Sequence, residues 1–195
     1  MYRKAYAERK NMNGLNAIRQ LKKDRFIVLG VAFDWGYRKG LDVFEQLAGE
    51  LNVEKYKIVL VGTNETVDKE LPDNLISVHR TYDQKELAEY YSLADVFVMP
   101  TREDNFPTVN IEALACGTPV ITFDTGGSAE TIDNKSGVSV PCDDTEKLKK
   151  EIIRVCETHP FTVQNCRARA NTFDQSERFL EYTKLYEQVT GDRRL

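Results

Sequence analysis

The sequence predicts an α/β protein with a doubly wound parallel sheet of about six strands, helices on both faces and a helical tail at the C-terminus. Short β-rich apolar runs alternate with helical patterns, which is typical of a sheet built from βαβ units. Runs such as IVLVG and DVFVMP are continuously apolar, which suits strands buried on both faces. In such a sheet, ligands bind at the carboxyl ends of the strands.

Six predicted strands and their crossovers account for residues 26 to 156: Phe26–Val31, Lys57–Val61, Leu75–Val78, Val96–Met99, Val120–Phe123 and Val138–Val140. Apolar residues at helical spacing predict helices over Leu41–Leu51 and Lys85–Leu93. After Pro160 the pattern is helical only. It ends with an apolar stripe, here called the C-terminal stripe, made of Phe179, Leu180, Leu185, Tyr186 and Val189. The sequence leaves open whether this stripe packs on the chain's own sheet or on another domain.

Length and composition indicate one globular domain, because 195 residues with 41% hydrophobic content can bury a full core. The apolar runs are far too short to span a membrane, and the first 25 residues lack an apolar signal region. Cysteines at 116, 142, 156 and 166 form no C-x-x-C pair, and the chain has only two histidines. Neither a zinc site nor a disulfide framework is therefore predicted, and a cytoplasmic location fits best.

Charge divides the chain into two parts. The net charge is −4, yet the first 25 residues contain eight Lys or Arg and two acids, which leaves −10 for the remainder. We therefore predict a basic arm or interdomain linker over residues 1–25 and the folded domain over residues 26–195. No aromatic residues interleave with a basic stripe at base-stacking spacing, so no nucleic-acid partner is predicted. A basic arm can also attract anionic lipid, which leaves open a peripheral association with the inner face of a membrane.

The loop after the first strand, GVAFDWGYRKGLDVF, contains no G-x-G-x-x-G fingerprint, so a dinucleotide cofactor is not predicted. It ends in Lys39 beside Gly40, at the start of a predicted helix. A lysine in this place can offer a positive charge to a phosphate. The alternative is a solvated Arg38–Lys39 pair.

The loop after the fourth strand reads TREDNFPTVNIE. If Asp104 or Asn105 caps the following helix, Pro107 lies in its first turn, and the next two N–H groups stay free to attract phosphate. Asp104 and Glu112 can then approach one ligand from two sides, and each carboxylate can accept hydrogen bonds from sugar hydroxyls. The alternative is a helix cap and an unrelated surface glutamate.

A third loop, DTGGSAETI, follows the fifth strand. Its Gly126–Gly127 pair lets the backbone come close to a ligand. Taken alone it indicates only a glycine turn. All three loops follow predicted strands, so they should converge at one edge of the sheet.

Together the three loops resemble the C-terminal, donor-binding domain of GT-B glycosyltransferases, in the large retaining group known as family 4. The most specific stretch is TREDNFPTVNIEALACGTPVITFDTGGSAETI, which resembles that family's acid-x7-acid pattern followed by E-A-x-A-x-G-x-P-V and G-G-x-x-E. RKGLDVF, ELAEYYSLADVFVMPT and SGVSV follow the family's order, and the likeness covers residues 26 to 190. EDNFP resembles the branch that assembles capsule and colanic-acid-like polysaccharides. The resemblance implies a Rossmann-like fold.

The resemblance also implies the site. Lys39 would neutralise the donor diphosphate, Asp104 would contact the transferred sugar, and Glu112 would hold the ribose hydroxyls. Main-chain contacts after the third strand would hold the base, and the loop around Phe106 would line sugar and phosphates. The implied donor-binding residues are Arg38, Lys39, Arg80, Thr81, Tyr82, Asn105, Phe106, Pro107, Thr108, Val109 and Glu112. The nucleoside diphosphate sugar is the substrate, no cofactor is implied, and the lack of a D-x-D pair predicts no metal.

Two departures from the family pattern bear on the donor. The first-strand loop reads Gly30-Val31-Ala32 where many members have Gly-Arg-Leu, so a second phosphate-binding arginine is missing unless Arg38 replaces it. Asp104 is also one methylene shorter than the glutamate that is usual there.

GT-B enzymes have an N-terminal Rossmann-like half that binds the acceptor, and catalysis occurs between the halves. This chain begins about two dozen residues before its first strand, so the resemblance implies the donor half of an enzyme, inactive alone. The partner half would cover the C-terminal stripe, and without it the chain should self-associate. The acceptor would be a polysaccharide or a lipid-linked sugar.

Two other function classes are alternatives for this sequence. One is a nucleotide-sugar-binding or interaction module without turnover, which an acceptor half encoded upstream would argue against. The other is a dinucleotide-dependent oxidoreductase, which the missing glycine fingerprint disfavours.

Overall fold

The computed structural model describes residues 14–69, 71–72, 74–81 and 83–190. Within them, six parallel strands form one sheet in the order β3-β2-β1-β4-β5-β6. The predicted doubly wound α/β fold is confirmed, and every predicted strand is present, with only β2 and β6 starting one residue earlier than expected. The strands are β1 Phe26–Val31, β2 Tyr56–Val61, β3 Leu75–Val78, β4 Val96–Met99, β5 Val120–Phe123 and β6 Gly137–Val140.

The described residues also form eight α-helices and two 3-10 turns. The predicted helices Leu41–Leu51 and Lys85–Leu93 are found to within one residue at one end. No helix in this part of the chain is both long and apolar enough to cross a bilayer. The helices are α1 Gly14–Leu21, α2 Leu41–Glu50, α3 Glu65–Asp68, α4 Gln84–Leu93, α5 Thr108–Ala115, α6 Thr145–Thr158, α7 Val163–Asn171 and α8 Gln175–Thr190, and the 3-10 turns are Tyr37–Lys39 and Ala129–Thr131.

The direction of winding changes at β1, which pairs with β2 on one side and β4 on the other. The crossover after β1 leads toward one edge of the sheet, and the crossover after β4 leads toward the other edge. A crevice therefore opens at the carboxyl ends of these two parallel strands. The segment after β1 carries the 3-10 turn with Lys39, and the segment after β4 carries Asp104. The topology alone therefore brings the first and second predicted loops together.

The core consists of two apolar layers, one on each face of the sheet. One layer packs α2 and α6 on the sheet, through residues such as Phe44 and Ile152. The other packs α1, α4, α5 and α7, through residues such as Ile18, Tyr91 and Leu114. Because both faces are covered, the four central strands are almost wholly buried, as their apolar sequences predict, while the edge strands β3 and β6 are partly exposed.

Part of the basic arm packs on the domain, which the expectation of a solvated or linking segment did not include. Helix α1 buries Leu15 and Ile18 in the core. Lys22 Nζ donates to Asp95 Oδ1 at 2.9 Å, while the backbone N–H of Ile27 donates to the other carboxylate oxygen at 2.8 Å. Residues 1–13 of the predicted arm lie outside the described residues.

Helix α8 packs on nothing within the described part of the chain, since none of its residues is buried. The five side chains of the C-terminal stripe are 53% to 77% exposed. Packing of the stripe on its own sheet, one of the two alternatives from the sequence, is therefore wrong.

Candidate functional site

A cavity of about 290 Å³ lies where β1 and β4 end. Its walls come from the segment after β1, the 3-10 turn and the loop that leads into α5. It gathers seven of the residues that the resemblance places around the donor: Arg38, Lys39, Asp104, Phe106, Pro107, Thr108 and Val109. These residues are widely separated in sequence, and the switch in winding direction brings them together.

Lys39 is held by a tight turn. Its backbone N–H donates to the Gly36 carbonyl at 3.0 Å, and the N–H of Gly40 donates to the Tyr37 carbonyl at 3.1 Å. Gly40 has φ 75° and begins α2. A side chain there would be strained, and its Cβ would come within 2.4 Å of the Pro100 carbonyl oxygen. Glycine after Lys39 therefore allows the turn to pack closely on Pro100, the residue that follows β4.

Lys39 and Asp104 form an ion pair. Lys39 Nζ lies 2.5 Å from Asp104 Oδ2, and the two side chains are only 15% and 18% exposed. The sequence predicted both residues for one ligand, on its phosphate and sugar parts. The structure brings them together as partners of each other, so the charge of Lys39 is partly neutralised within the site.

The start of α5 differs from the prediction that Asp104 or Asn105 caps it. Pro107 is itself the cap residue, outside the first turn, and no side chain caps the helix. Asp104 Oδ1 instead accepts the N–H of Phe106 at 3.2 Å. A residue before proline avoids the helical conformation, so α5 cannot extend back over Phe106. With no side-chain cap, the N–H groups of Thr108 and Val109 face the cavity end of the helix without an intrahelical acceptor.

Gly126 and Gly127 serve the protein rather than an approaching ligand. A Cβ on Gly126, which has φ 49°, would lie 1.9 Å from the Asp104 carbonyl oxygen. One on Gly127 would lie 2.2 Å from the Asn105 carbonyl oxygen, which accepts the Gly127 N–H at 3.0 Å. The third loop thus packs directly against the second and fixes its shape.

Glu112 lies one helical turn after Thr108 and outside the cavity wall. Its Oε2 accepts the hydroxyl of Tyr91 at 3.0 Å. Tyr91 is fully buried, and this burial, together with the neighbouring carboxylate, raises the pKa of its hydroxyl far above the ordinary value. The tyrosine therefore stays protonated and keeps donating to Glu112. Tyr91 lies in the helix predicted over Lys85–Leu93, but sequence reasoning missed this contact.

Arg80, Thr81 and Asn105, the other predicted residues that the structure describes, do not line the cavity. Arg80 and Thr81 follow β3, two strands away from β1 in the sheet. Tyr82 lies outside the described residues. Asn105 is exposed and contributes its carbonyl to Gly127 rather than a side chain to the wall.

Five further wall residues come from the ends of two strands and the loop after the first. Val31 ends β1, Met99 ends β4, and Ala32, Phe33 and Asp34 directly follow β1. Phe33 is 93% exposed, which is unusual for a phenylalanine outside a contact surface. Their position after the first strand was the available signal, because loops at the carboxyl ends of parallel strands form ligand sites.

The charges in the cavity favour an anion at one end. Two cations and two carboxylates line it, but Asp104 is already paired with Lys39. Arg38 is exposed, and its side chain has no partner among the described residues. The unpaired N–H groups and the positive end of α5 add to Arg38 and Lys39. Within the same residues, no group of three or more His, Cys, Asp or Glu is arranged to hold a metal ion.

Arg102 lies behind the wall and pairs with Asp42 through two parallel hydrogen bonds of 2.8 Å each. These bonds hold the pKa of the Asp42 carboxyl below its ordinary value, and burial opposes them only in part. A lowered pKa means that the folded state binds the proton less readily than the unfolded chain. The stability from this pair is therefore present above the unfolded pKa, about 3.9, and is lost as pH falls through the folded pKa.

Replacing Asp42 with asparagine should flatten the acid side of the stability profile. The free energy of unfolding should depend less on pH below about 4, while the loss at pH 7 should be at most about 1 kcal/mol because Asp42 is half exposed. Urea unfolding at several pH values measures both. Asp124→Asn is the control, since Asp124 is exposed and its side chain has no partner among the described residues. An equal acid response in both variants would contradict the assignment.

Comparison with known proteins gives a family match. The family described as Glycosyl transferases group 1 matches residues 23–158, which is most of the chain. A 41.2 kDa protein from the cps region of Klebsiella pneumoniae is 28% identical over 177 residues, covering 86% of this chain and 48% of that protein.

Solved structures agree on the fold. Sucrose-phosphate synthase from Thermosynechococcus elongatus superposes with a TM-score of 0.75 at 30% identity, covering 92% of this chain and 49% of that one. Anabaena Alr3699/HepE, solved in complex with UDP-glucose, superposes with a TM-score of 0.72 at 17% identity, covering 90% and 52%. This chain thus spans about half the length of each of these proteins.

Proposed function

The chain belongs to the Glycosyl transferases group 1 family, and we propose that it is the donor-binding half of a retaining glycosyltransferase. Its substrate would be a nucleoside diphosphate sugar, and the sugar would pass to a polysaccharide or lipid-linked acceptor. The observation that carries this proposal is the cavity where Lys39, Asp104 and the uncapped start of α5 meet. Its position at the switch point of the sheet is where α/β proteins bind nucleotides.

The diphosphate is assigned to the end of the cavity formed by Lys39 and α5. The N–H groups of Thr108 and Val109 can donate to phosphate oxygens, and the helix end adds a partial positive charge. Arg38, exposed beside Lys39, supplies the second cation that the departure from Gly-Arg-Leu otherwise removes. These groups stabilise the negative charge that develops on the diphosphate as it leaves, without a metal ion.

The ribose is assigned to Glu112. Side chains four residues apart on a helix lie about 5–6 Å from each other, which is close to the step from a diphosphate to its ribose. Thr108 and Glu112 have this spacing on α5. Tyr91 holds one carboxylate oxygen of Glu112, and no described residue bonds the other, which leaves that oxygen to accept a ribose hydroxyl.

The transferred sugar is assigned to Asp104, which lines the cavity in the loop before α5 and pairs with Lys39. UDP-glucose in the Anabaena structure supports a nucleotide-sugar donor. The cps-region relative supports a role in polysaccharide assembly. A colanic-acid-like product and the cytoplasmic side of the membrane as the location belong to the same proposal.

An acceptor-binding half is proposed as the partner. The chain spans about half of its relatives, and α8 presents its stripe without cover from the described residues. The second half would bury that stripe and close the cavity from the open side.

Calorimetry with UDP, GDP and ADP tests the donor site. We expect one of them to bind, and Glu112→Gln to weaken its binding by about tenfold, because a charged acceptor for ribose hydroxyls is replaced by a neutral one. The fold should survive, since glutamine can still accept from Tyr91. Glu103→Gln is the matched control, an exposed glutamate whose side chain has no partner among the described residues. Equal affinities in the two variants would refute the ribose assignment, and no binding by any nucleotide would refute the donor site.

A further inference from the structure

Arg102 lies in the loop after β4, three residues beyond the end of the strand, and its side chain is only 15% exposed. Each of its nitrogens is engaged. Nε donates to Asp143 Oδ1 at 2.7 Å, Nη2 donates to Asp42 Oδ2 at 2.8 Å, and Nη1 donates both to Asp42 Oδ1 at 2.8 Å and to the Tyr37 carbonyl at 2.5 Å. Four of the five N–H donors of Arg102 are thus used by the protein itself.

The loop after β4 also forms hydrogen bonds with the backbone of the turn that carries Lys39. The backbone N–H of Arg102 donates to the Arg38 carbonyl at 2.9 Å, and Thr101 Oγ1 donates to that carbonyl at 3.2 Å. The guanidinium lies 3.8 Å above the ring of Tyr37. Thr101 and Arg102 therefore hold both Tyr37 and Arg38, the two residues that precede Lys39 in the turn.

We propose that Arg102 is a positioning residue for Lys39, holding the 3-10 turn so that the ammonium group stands over the diphosphate end of the cavity. The inference rests on the proposed function of that cavity. Arg102 is absent from the cavity wall, so it acts through the turn and not by contact with the donor.

Positioning matters here because a lysine side chain is long and loses much rotational freedom when it binds. A turn that is already fixed lowers the ordering cost at the moment of binding. The network also joins three separate segments: the turn, the first turn of α2 through Asp42, and the segment after β6 through Asp143. No lysine could span all three, since it lacks the planar fork of arginine.

The network contributes more to local order than to global stability. Asp42 and Asp143 are 45% and 54% exposed, and ion pairs with such exposed partners stabilise a fold only weakly. The hydrogen bonds to the Tyr37 and Arg38 carbonyls act only on the turn. Loss of Arg102 should therefore loosen the turn while leaving the sheet intact.

Hydrogen exchange and calorimetry on Arg102→Ala and Arg102→Lys test the inference. In Arg102→Ala the amides of Lys39 and Gly40, both hydrogen-bonded within the turn, should exchange about tenfold faster or more, while those of β1 keep their rates. Affinity for the nucleoside diphosphate should fall about tenfold, and affinity for the matching nucleoside should not change. Arg102→Lys should give a smaller effect in the same direction. If the alanine variant does not fold, the lysine variant provides the same test.

Arg154→Ala is the matched control. Arg154 also pairs with a carboxylate, that of Glu151, and lies over an aromatic ring, that of Phe161, but it sits on α6 away from the cavity. It should change neither the exchange of the turn nor the diphosphate affinity.

Unchanged exchange at Lys39 and Gly40 would overturn the inference. So would faster exchange with an unchanged ratio of diphosphate to nucleoside affinity, because Arg102 would then be structural only. If the wild-type chain binds no nucleotide at all, the proposed donor site fails, and the exchange rates still decide separately whether Arg102 orders the turn.

Discussion

Replacing Lys39 with methionine is expected to lower the affinity for the nucleoside diphosphate by about 10- to 100-fold. The ammonium group is mostly buried at the diphosphate end of the cavity, where a charge-assisted hydrogen bond contributes about 1.5–3 kcal/mol. Methionine keeps the length of the stem, so the variant removes the charge with little change in packing. Calorimetry at constant ionic strength measures the change, because salt screens part of the effect.

Asp104→Asn is the informative companion, because Asp104 is the partner of Lys39 at 2.5 Å. Without the carboxylate, the lysine charge is free for phosphate, so affinity for the bare diphosphate should stay the same or rise. The extra affinity of the nucleotide sugar over the bare nucleotide should fall, since Asp104 is assigned to the sugar. Asp34→Asn removes the other carboxylate of the cavity, which has no ion pair among the described residues, and controls for the change in net charge. A loss of diphosphate affinity as large as that of Lys39→Met would contradict this division of roles.

The sheet could be predicted closely because its signal is local. The four central strands are apolar-rich and buried on both faces, so composition marks their approximate extent. The starts of β2 and β6 were missed by one residue. Lys57 separates Tyr56 from the apolar run IVLV, and Gly137 is of a residue type that is depleted in strands.

Helix α1 shows the opposite case. Lysine and arginine dominate the first 25 residues, and this charge favoured a solvated arm. Leu15, Ile18 and Leu21 nevertheless recur every three residues, which is enough to lay one face of a short helix on the core. The basic charge and the apolar spacing are compatible, because in the structure the charged side chains lie at the surface while Leu15 and Ile18 are buried.

The site could be predicted only as a set of residue types. That Lys39 and Asp104 pair with each other depends on the distance between two loops 65 positions apart, which no local pattern contains. The same holds for Gly126, whose missing side chain makes room for the backbone at Asp104. The apolar spacing around Tyr91 predicts a buried ring. Only the contact between α4 and α5 in the structure shows that the hydroxyl of this tyrosine reaches Glu112. Spacing identifies candidates, whereas their pairing follows from tertiary contacts.

The largest expected effect concerns transfer itself. We expect this chain alone to bind the donor and to transfer no sugar, and the chain joined to an upstream acceptor-binding half to turn over. The cavity is not enclosed by the described residues, so alone it can neither hold an acceptor against the sugar nor exclude water from it. Positioning of two substrates can account for several orders of magnitude in rate, which makes the comparison close to all-or-none.

Released nucleoside diphosphate, measured with the donor that binds best and with polyprenyl-linked acceptors, compares the two proteins. Lys39→Met in the joined protein is the control that assigns the turnover to this cavity, because it should abolish most of it. Substituting Phe179, Leu185 and Tyr186 with serine in the joined protein should also lower turnover while leaving donor affinity intact, since no residue of the C-terminal stripe lines the cavity and the stripe is proposed to hold the halves together. Acceptor-dependent turnover by the isolated chain would contradict the two-half assignment. Donor binding without turnover in either protein would instead favour a nucleotide-sugar-binding module, because the same contacts that hold a donor can exist without the second wall of a catalytic cleft.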